Sequence, residues 1–237
     1  MRISHLGPSG TYTEAAARRF APACDLLPVP TVTAAIQAVR DGEADAAVCA
    51  MENSIEGSVS IETMDLLINP SFELRISGEV VLSIQHHLVG APGINPATAQ
   101  VVYSHPQGLA QCRQSLQRLA PQAKPVAALS TAGAVEASIQ EPGTLAVGSE
   151  YAAELYGATI YARDIGDERG NETRFVVLAR EDADPTGDDK TSLAFTTAHD
   201  RPGSLVEVLQ LFATHGLNLT RIESRPTRRQ QIGRAHV

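Results

Sequence analysis

Gly170-Asn171-Glu172-Thr173-Arg174-Phe175 runs straight into the apolar Val176-Val177-Leu178. A glycine and an asparagine, both tolerant of left-handed backbone, lead into a hydroxyl, a guanidinium and an aromatic ring at the mouth of a buried strand. A turn this polar and tight in front of an apolar strand reads as a site presented by a scaffold. On a regular strand Thr173 and Arg174 point to opposite faces, so the pair should diverge. Thr173 also begins its strand, whereas the other polar segments of the chain end theirs. They can share one cleft only if this strand runs antiparallel to its neighbours.

Upstream, short apolar strands alternate with helical patterns over the first 180 residues, which argues for an α/β architecture with largely parallel sheets. Ile3 to Leu6 is a strand, and Gly7-Pro8-Ser9-Gly10 turns into Thr11-Tyr12-Thr13-Glu14, a capping-box pattern for a helix through Phe20. A strand at Leu26 to Val29 precedes Val32, Ala35, Ile36 and Val39, which share one helix face. The strand Ala46 to Met51 ends in Glu52-Asn53-Ser54, and helical character returns between Val59 and Leu67. The extended pattern from Phe72 to Val89 marks a crossing into a second lobe. There, Val101 to Tyr103 and Pro125 to Leu129 are strands, separated by a helical stripe of Leu109, Cys112, Leu116 and Leu119. Ser130 or Thr131 caps the next helix, and Leu145 to Val147 with a helix through Tyr151 to Tyr156 complete the lobe.

The chain has 237 residues, 43% hydrophobic and 19% charged, enough for one large or two medium globular domains. Its net charge is −8, it has no tryptophan, and no Lys/Arg cluster precedes the C-terminal tail, so nucleic acid is not an expected partner. No apolar run approaches the roughly 20 residues of a membrane span and no export signal follows Met1, so a cytoplasmic protein is expected. Cys24, Cys49 and Cys112 are odd in number and widely spaced, suggesting neither disulfides nor zinc but three small buried hydrophobes.

Four polar segments leave the carboxyl ends of expected strands: Gly7 to Thr11, Glu52 to Ser54, Ser104 to Gln107, and Ser130-Thr131. In open α/β sheets ligands bind at that edge, so these point to one cleft between the lobes. Two of the segments open helices, whose free N–H groups favour a small carboxylate or phosphate. Singly, each has a plain structural explanation. Gly7 to Gly10 is a turn without the lysine of a P-loop, His105 before proline suits a strand end, and Glu52-Asn53-Ser54 could cap a helix. His86 and His87 alternate across a strand and make a poor metal pair. Thr173 is a weak acid with no base beside it in sequence.

Taken together and in order, Gly7-Pro8-Ser9-Gly10-Thr11-Tyr12-Thr13-Glu14, Glu52-Asn53-Ser54-Ile55-Glu56-Gly57, Ser104-His105-Pro106-Gln107, Thr131-Ala132 and Asn171-Glu172-Thr173-Arg174-Phe175 closely resemble the prephenate dehydratase family. One departure is Ala50, where the family usually has proline. The resemblance implies a two-lobed catalytic domain over residues 1–180, like a type II periplasmic binding protein, with lobe 1 at about 1–75 and 165–180 and lobe 2 at about 76–164. It implies conversion of prephenate to phenylpyruvate, carbon dioxide and water without a cofactor, on the route to phenylalanine. In that family the catalytic role falls on the threonine that is Thr173 here; because threonine is so weak an acid, it reads as a positioned donor in a relay with a water, Glu52 or His105. Thr11, Asn53, Ser54, Ser104, Gln107, Thr131, Ala132, Arg174 and Phe175 would hold the substrate, Arg174 chiefly by bracing the loop. The rivals are arogenate dehydration and a two-lobed binding protein without catalysis.

Residues 181–189 are acidic, with Pro185 and Gly187, and read as a linker. Beyond it come a strand at Ser192 to Thr196, a helix with Leu205, Val208, Leu209 and Phe212, a C′ glycine at Gly216, and a strand at Leu217 to Glu223. Asp200-Arg201-Pro202-Gly203-Ser204-Leu205 and Ile222-Glu223-Ser224-Arg225-Pro226 resemble an ACT regulatory domain, an α+β ferredoxin-like unit. This implies phenylalanine as effector at Gly203, Ser204, Leu205, Glu223, Ser224 and Arg225, and a homodimer or homotetramer. Residues 190–230 would be a partial ACT unit. Read back into codons, residues 231–237 look like a sequencing adapter, so the natural chain is expected to continue differently after about residue 230.

Overall fold

The structure, a computed structural model, describes residues 1–59, 61–69, 73–197, 201–226 and 234–236. The elements begin with β1 (Arg2–Leu6), α1 (Tyr12–Phe20), β2 (Asp25–Val29), α2 (Val32–Asp41), β3 (Ala46–Asn53), β4 (Gly57–Ser58), α3 (Ile61–Leu67) and β5 (Arg75–Ser83). There follow β6 (His87–Gly90), β7 (Val101–Ser104), α4 (Pro106–Gln111), α5 (Arg113–Leu119), β8 (Lys124–Ala127), α6 (Thr131–Gln140), β9 (Thr144–Gly148), α7 (Glu150–Tyr156), β10 (Thr159–Ala162) and β11 (Glu172–Ala179).

These form two sheets within one compact unit, Met1–Ala183. The first has the order β2-β1-β3-β11-β5, with β4 beside β3, and the second β10-β6-β9-β7-β8. β1 is parallel to β2 and β3, but β11 is antiparallel to both β3 and β5, as the direction argument requires. Because β5 belongs to the first sheet, the chain crosses between lobes at Ile84 to His86, later than a boundary near residue 76. Thr159-Ile-Tyr-Ala, rich in strand formers, adds an edge strand that the sequence reading did not include. The stripe from Leu109 to Leu119 is two helices broken at Cys112.

The first core joins Ile3, Ala16, Ala17, Val48, Phe175 and Val177, so the α1 face of the first sheet is dry. The second lobe has its own clusters around Leu88, Val102, Cys112 and Leu145, and around Val89, Val135, Ala146 and Ala152. Burial pushes the thiols of Cys49 and Cys112 up to about 12, so both behave as apolar filling, while Cys24 is only half-buried.

Thr11 caps α1 by accepting from the Glu14 N–H at 3.2 Å, but the Glu14 carboxylate reaches back to Gly10 N (2.8 Å) rather than to the cap residue itself. Gly10 has φ +94°, and a Cβ there would lie 3.3 Å from Ala152 Cα, so the loop and α7 meet closely. Tyr151 and Tyr156 of α7 donate their hydroxyls to Glu14 Oε1 and Ser9 O, both at 2.8 Å, and lock the two lobes together there. Burial alone would raise the Glu14 carboxyl. Hydrogen bonds from Gly10, Tyr151 and Arg18 outweigh it and hold the pKa below the ordinary value.

A second unit, Asp184–Val237, carries α8 (Ser204–Thr214) and β12 (Ser224–Pro226), which pairs antiparallel with β13 (Arg234–His236). The strands expected at Ser192 to Thr196 and Leu217 to Glu223 are not formed, beyond a bridge at Phe195. A strand exists only through its ladder, and α8 buries none of its residues. Among the described residues no helix is long and apolar enough to cross a membrane.

Candidate active site

β3 and β11 lie side by side with Thr173 opposite Asn53 and Arg174 opposite Glu52, yet Phe175 pairs with Ala50. Met51 is therefore an extra residue, a bulge in β3. A bulge shifts the alternation by one, so Ala50 and Asn53 share a face with Thr173 and Phe175 while Glu52 turns to the other. That shared face forms the first-lobe wall of a cleft of about 150 Å³. The second lobe supplies His105, Gln107, Gln111, Ser130 and Thr131, and the crossing supplies Ile84 and His86.

The hydrogen bonds of this wall have a fixed direction. Asn53 Oδ1 accepts the backbone N–H groups of Ile55 (3.0 Å) and Glu56 (3.1 Å), which settles which end of the amide is oxygen. Asn53 Nδ2 then donates to Thr173 Oγ1 at 3.0 Å and Asn171 Oδ1 at 2.6 Å. Asn171 in turn donates to Gln111 Oε1 at 2.9 Å, and Gln111 donates to Glu56 Oε1 at 3.2 Å. The Thr173 oxygen is thus held as an acceptor, and its own proton has no partner among the described hydrogen bonds. Both Asn53 and Thr173 are buried, where such a chain is strongest.

Two helix starts also open on the cleft, Thr11 to Thr13 of α1 and Ser130-Thr131 at α6. Ser130, not Thr131, is the cap of α6, accepting from Gly133 N at 3.0 Å. First-turn N–H groups have no partner within the helix, so each lobe offers an anion site. His105 caps α4 by accepting from Gln107 N at 3.4 Å through Nδ1, which leaves Nε2–H as its donor end. Burial holds its pKa below the ordinary value, so the ring is neutral at pH 7.

Other expected residues stand elsewhere. Glu52 lies outside the cleft, 3.9 Å from Arg174, whose Nε meets Glu79 at 2.5 Å. Arg174 thus lies among carboxylates on the face opposite Thr173. Ser54 Oγ donates to Gly170 O and accepts from Glu172 N, both at 2.9 Å, and so staples the return loop rather than lining the cleft. Ser104 is buried and donates to Val147 O at 2.8 Å. Ala132 is buried in α6, just behind the lining Thr131. Only Gly170 in the return turn takes positive φ (+73°); Asn171 does not. In the second unit, Gly203 (φ +93°), Ser204 and Leu205 open α8, and Glu223 pairs with Arg221 beside Ser224 and Arg225 of β12. Asp200 lies outside the described residues. Gln111 and His86 were missed from sequence. Gln111 could have been found, since it sits four residues after Gln107 on the same helical face.

A prephenate dehydratase family model matches residues 3–183 and an ACT domain model residues 191–237. A bifunctional chorismate mutase/prephenate dehydratase of Aquifex aeolicus is 38% identical, covering 97% of this chain and 62% of its own length. Arogenate dehydratase 1 of Petunia hybrida is 42% identical, covering 98% and 54%. The chain thus spans little more than half the length of these curated relatives. A prephenate dehydratase from Arthrobacter aurescens, solved in complex with L-Phe, aligns with TM-score 0.91 at 35% identity, over 100% of this chain and 79% of that one. A structure described as GqqA, a novel type of quorum quenching acylase, aligns with TM-score 0.79 at 32% identity, over 100% and 85%. Since the first family model spans both lobes and the cleft between them, this chain belongs to the prephenate dehydratase family.

Proposed function

We propose that the cleft converts prephenate to phenylpyruvate, with Thr173 as the group that meets the departing hydroxyl. The ring carboxylate leaves as carbon dioxide, its C–C bonding pair enters the ring, and the C–O bond at the far carbon breaks. The hydroxide released takes a proton to become water, and the ring gains aromaticity. The hard event is the growth of negative charge on the leaving oxygen, and a positioned donor stabilises it most. The observation that carries this reading is the direction of the Asn53–Thr173 hydrogen bond. With Asn53 donating, the Thr173 proton is free for a ligand. Two helix starts, one from each lobe, suit a substrate with two carboxylates. Phe175, buried and lining the cleft, supplies a flat wall for the ring.

Purified protein incubated with prephenate should accumulate phenylpyruvate, and Thr173→Ala should lower kcat by about 100- to 1,000-fold, the usual effect of losing one such donor. Equal rates in the two proteins would defeat the assignment. Arogenate, with an amino group in place of the keto group, is the competing substrate, and a parallel assay for phenylalanine decides between them. Acylase chemistry, as named for the GqqA structure, fits less well. The group at Thr173 Oγ1 is an amide N–H, which cannot take up the hydroxyl proton.

The second unit supports a regulatory reading in which phenylalanine binds an ACT pair in at least a dimer. Its helix α8, with no buried residue, is consistent with a half-unit that needs a partner. Titrating phenylalanine against the rate of prephenate turnover tests this reading, and a rate unmoved at saturating phenylalanine would refute it.

A further inference from the structure

Gln111 stands where three segments meet, and His86 is the partner not yet given a role. Gln111 Oε1 accepts from Asn171 and also lies 2.9 Å from His86 Nε2. An amide oxygen has no proton to give, so His86 Nε2 must be the donor. In a neutral imidazole the other nitrogen, Nδ1, then carries a bare lone pair. That Nδ1 is buried without a hydrogen-bond partner among the described residues, on a side chain only 4% exposed that lines the cleft. Burial keeps the ring neutral by lowering its pKa. Tyr12 packs edge-on against it at 6.2 Å between ring centres, but gives its hydroxyl to Gln85 O. A buried acceptor left empty costs free energy unless something fills it.

We propose that His86 serves the site from both nitrogens. Nε2–H orients Gln111, and through Asn171 and Asn53 it fixes which way Thr173 presents its proton. Nδ1 accepts a hydrogen bond from an O–H or N–H donor on the bound ligand. With prephenate that donor is the ring hydroxyl; arogenate adds an ammonium group. The ligand's identity rests on the dehydratase reading, but the hydrogen-bond directions do not.

The test compares three substitutions by steady-state kinetics with each substrate, after thermal melts confirm folding. His86→Leu removes both functions and should lower kcat by about 10- to 100-fold, the scale of a misplaced catalytic group, while raising KM. His86→Gln puts an amide nitrogen where Nε2 stood, so kcat should return to within about threefold of wild type while KM stays high. His86→Asn places its amide oxygen near Nδ1 but cannot reach Gln111, so it should show the reverse split. If Gln and Leu variants lose kcat equally, the orienting role is wrong. If His86→Gln has wild-type KM for both substrates, the acceptor role is wrong. A raised KM for arogenate alone assigns the donor to the ammonium. No turnover of either substrate by the wild-type protein would instead indict the dehydratase assignment, independently of these splits.

Discussion

The two faces of the β3–β11 pair use the same strands and differ in almost everything else. On one, Asn53, Thr173 and Phe175 are buried, and a directional neutral hydrogen bond joins the first two. On the other, Arg174 sits among Glu52 and Glu79 in partly exposed ion pairs. The first arrangement fixes proton positions to within one bond. The second fixes only charge, in a setting where solvent weakens it. Chemistry that depends on where a single proton points belongs on the first face, and stability on the second.

The substitution that should break this contrast most sharply is Asn53→Asp. An aspartate can still accept the Ile55 and Glu56 N–H groups, so the loop keeps its shape. It cannot donate to Thr173 Oγ1, however, and would capture the hydroxyl proton instead. Activity should fall about 100-fold, with a drop in Tm as well because the new carboxylate is buried against Asn171 Oδ1, and Thr173→Ser should by contrast retain most of the activity. An active Asn53→Asp would show that the direction of this bond does not matter.

Acid should distinguish the buried rings from the solvated charges. His5, His86, His87 and His105 are all held below the ordinary 6.5, first of all by burial. Unfolded chains take up these protons near pH 6.5, whereas the folded chain does so only at lower pH. Stability is therefore fully present above 6.5 and is lost as pH falls from there through the lowered folded values. Melting at pH 7.5 and 5.5 should show Tm dropping by about 4 °C or more. A constant Tm would mean that the rings are charged in the folded protein.

Arg174→Leu should cost about 1 kcal/mol, a Tm shift of about 2–4 °C, and affect kcat less than Asn53→Asp does. The smallest effect is expected for Glu52→Gln, whose kcat should stay within about threefold of wild type. A 100-fold loss there would restore Glu52 to a relay and dissolve the distinction between the faces.

Much of this arrangement was legible in the residues. Alternation told Thr173 from Arg174, and strand direction alone required β11 to be antiparallel. What the pattern could not carry was the bulge at Met51, because an extra residue leaves no mark in an apolar run. Without it, the alternation places Glu52 on the face of Thr173; with it, Glu52 pairs with Arg174 on the other. His86 escaped for a different reason. Its meaning comes from Gln111, 25 residues away, and no local period encodes that contact. In the second unit, propensity indicated strands at Ser192 to Thr196 and Leu217 to Glu223, but propensity does not encode the ladder that makes a strand, and the described residues show only a bridge at Phe195 there.

The position of β11 also bears on how the molecule comes into being. It is the last strand of its sheet to be made, yet it sits between β3 and β5 and not at an edge. Until it arrives, both neighbours expose unpaired backbone, while the second lobe, made from a continuous stretch in between, can already close. Asn53 and Thr173, 120 residues apart, meet only when that gap is filled. A chain released before residue 170 would hold every loop of the cleft except the one bearing the hydroxyl. On the function proposed above, catalytic competence would be acquired only with the final strand.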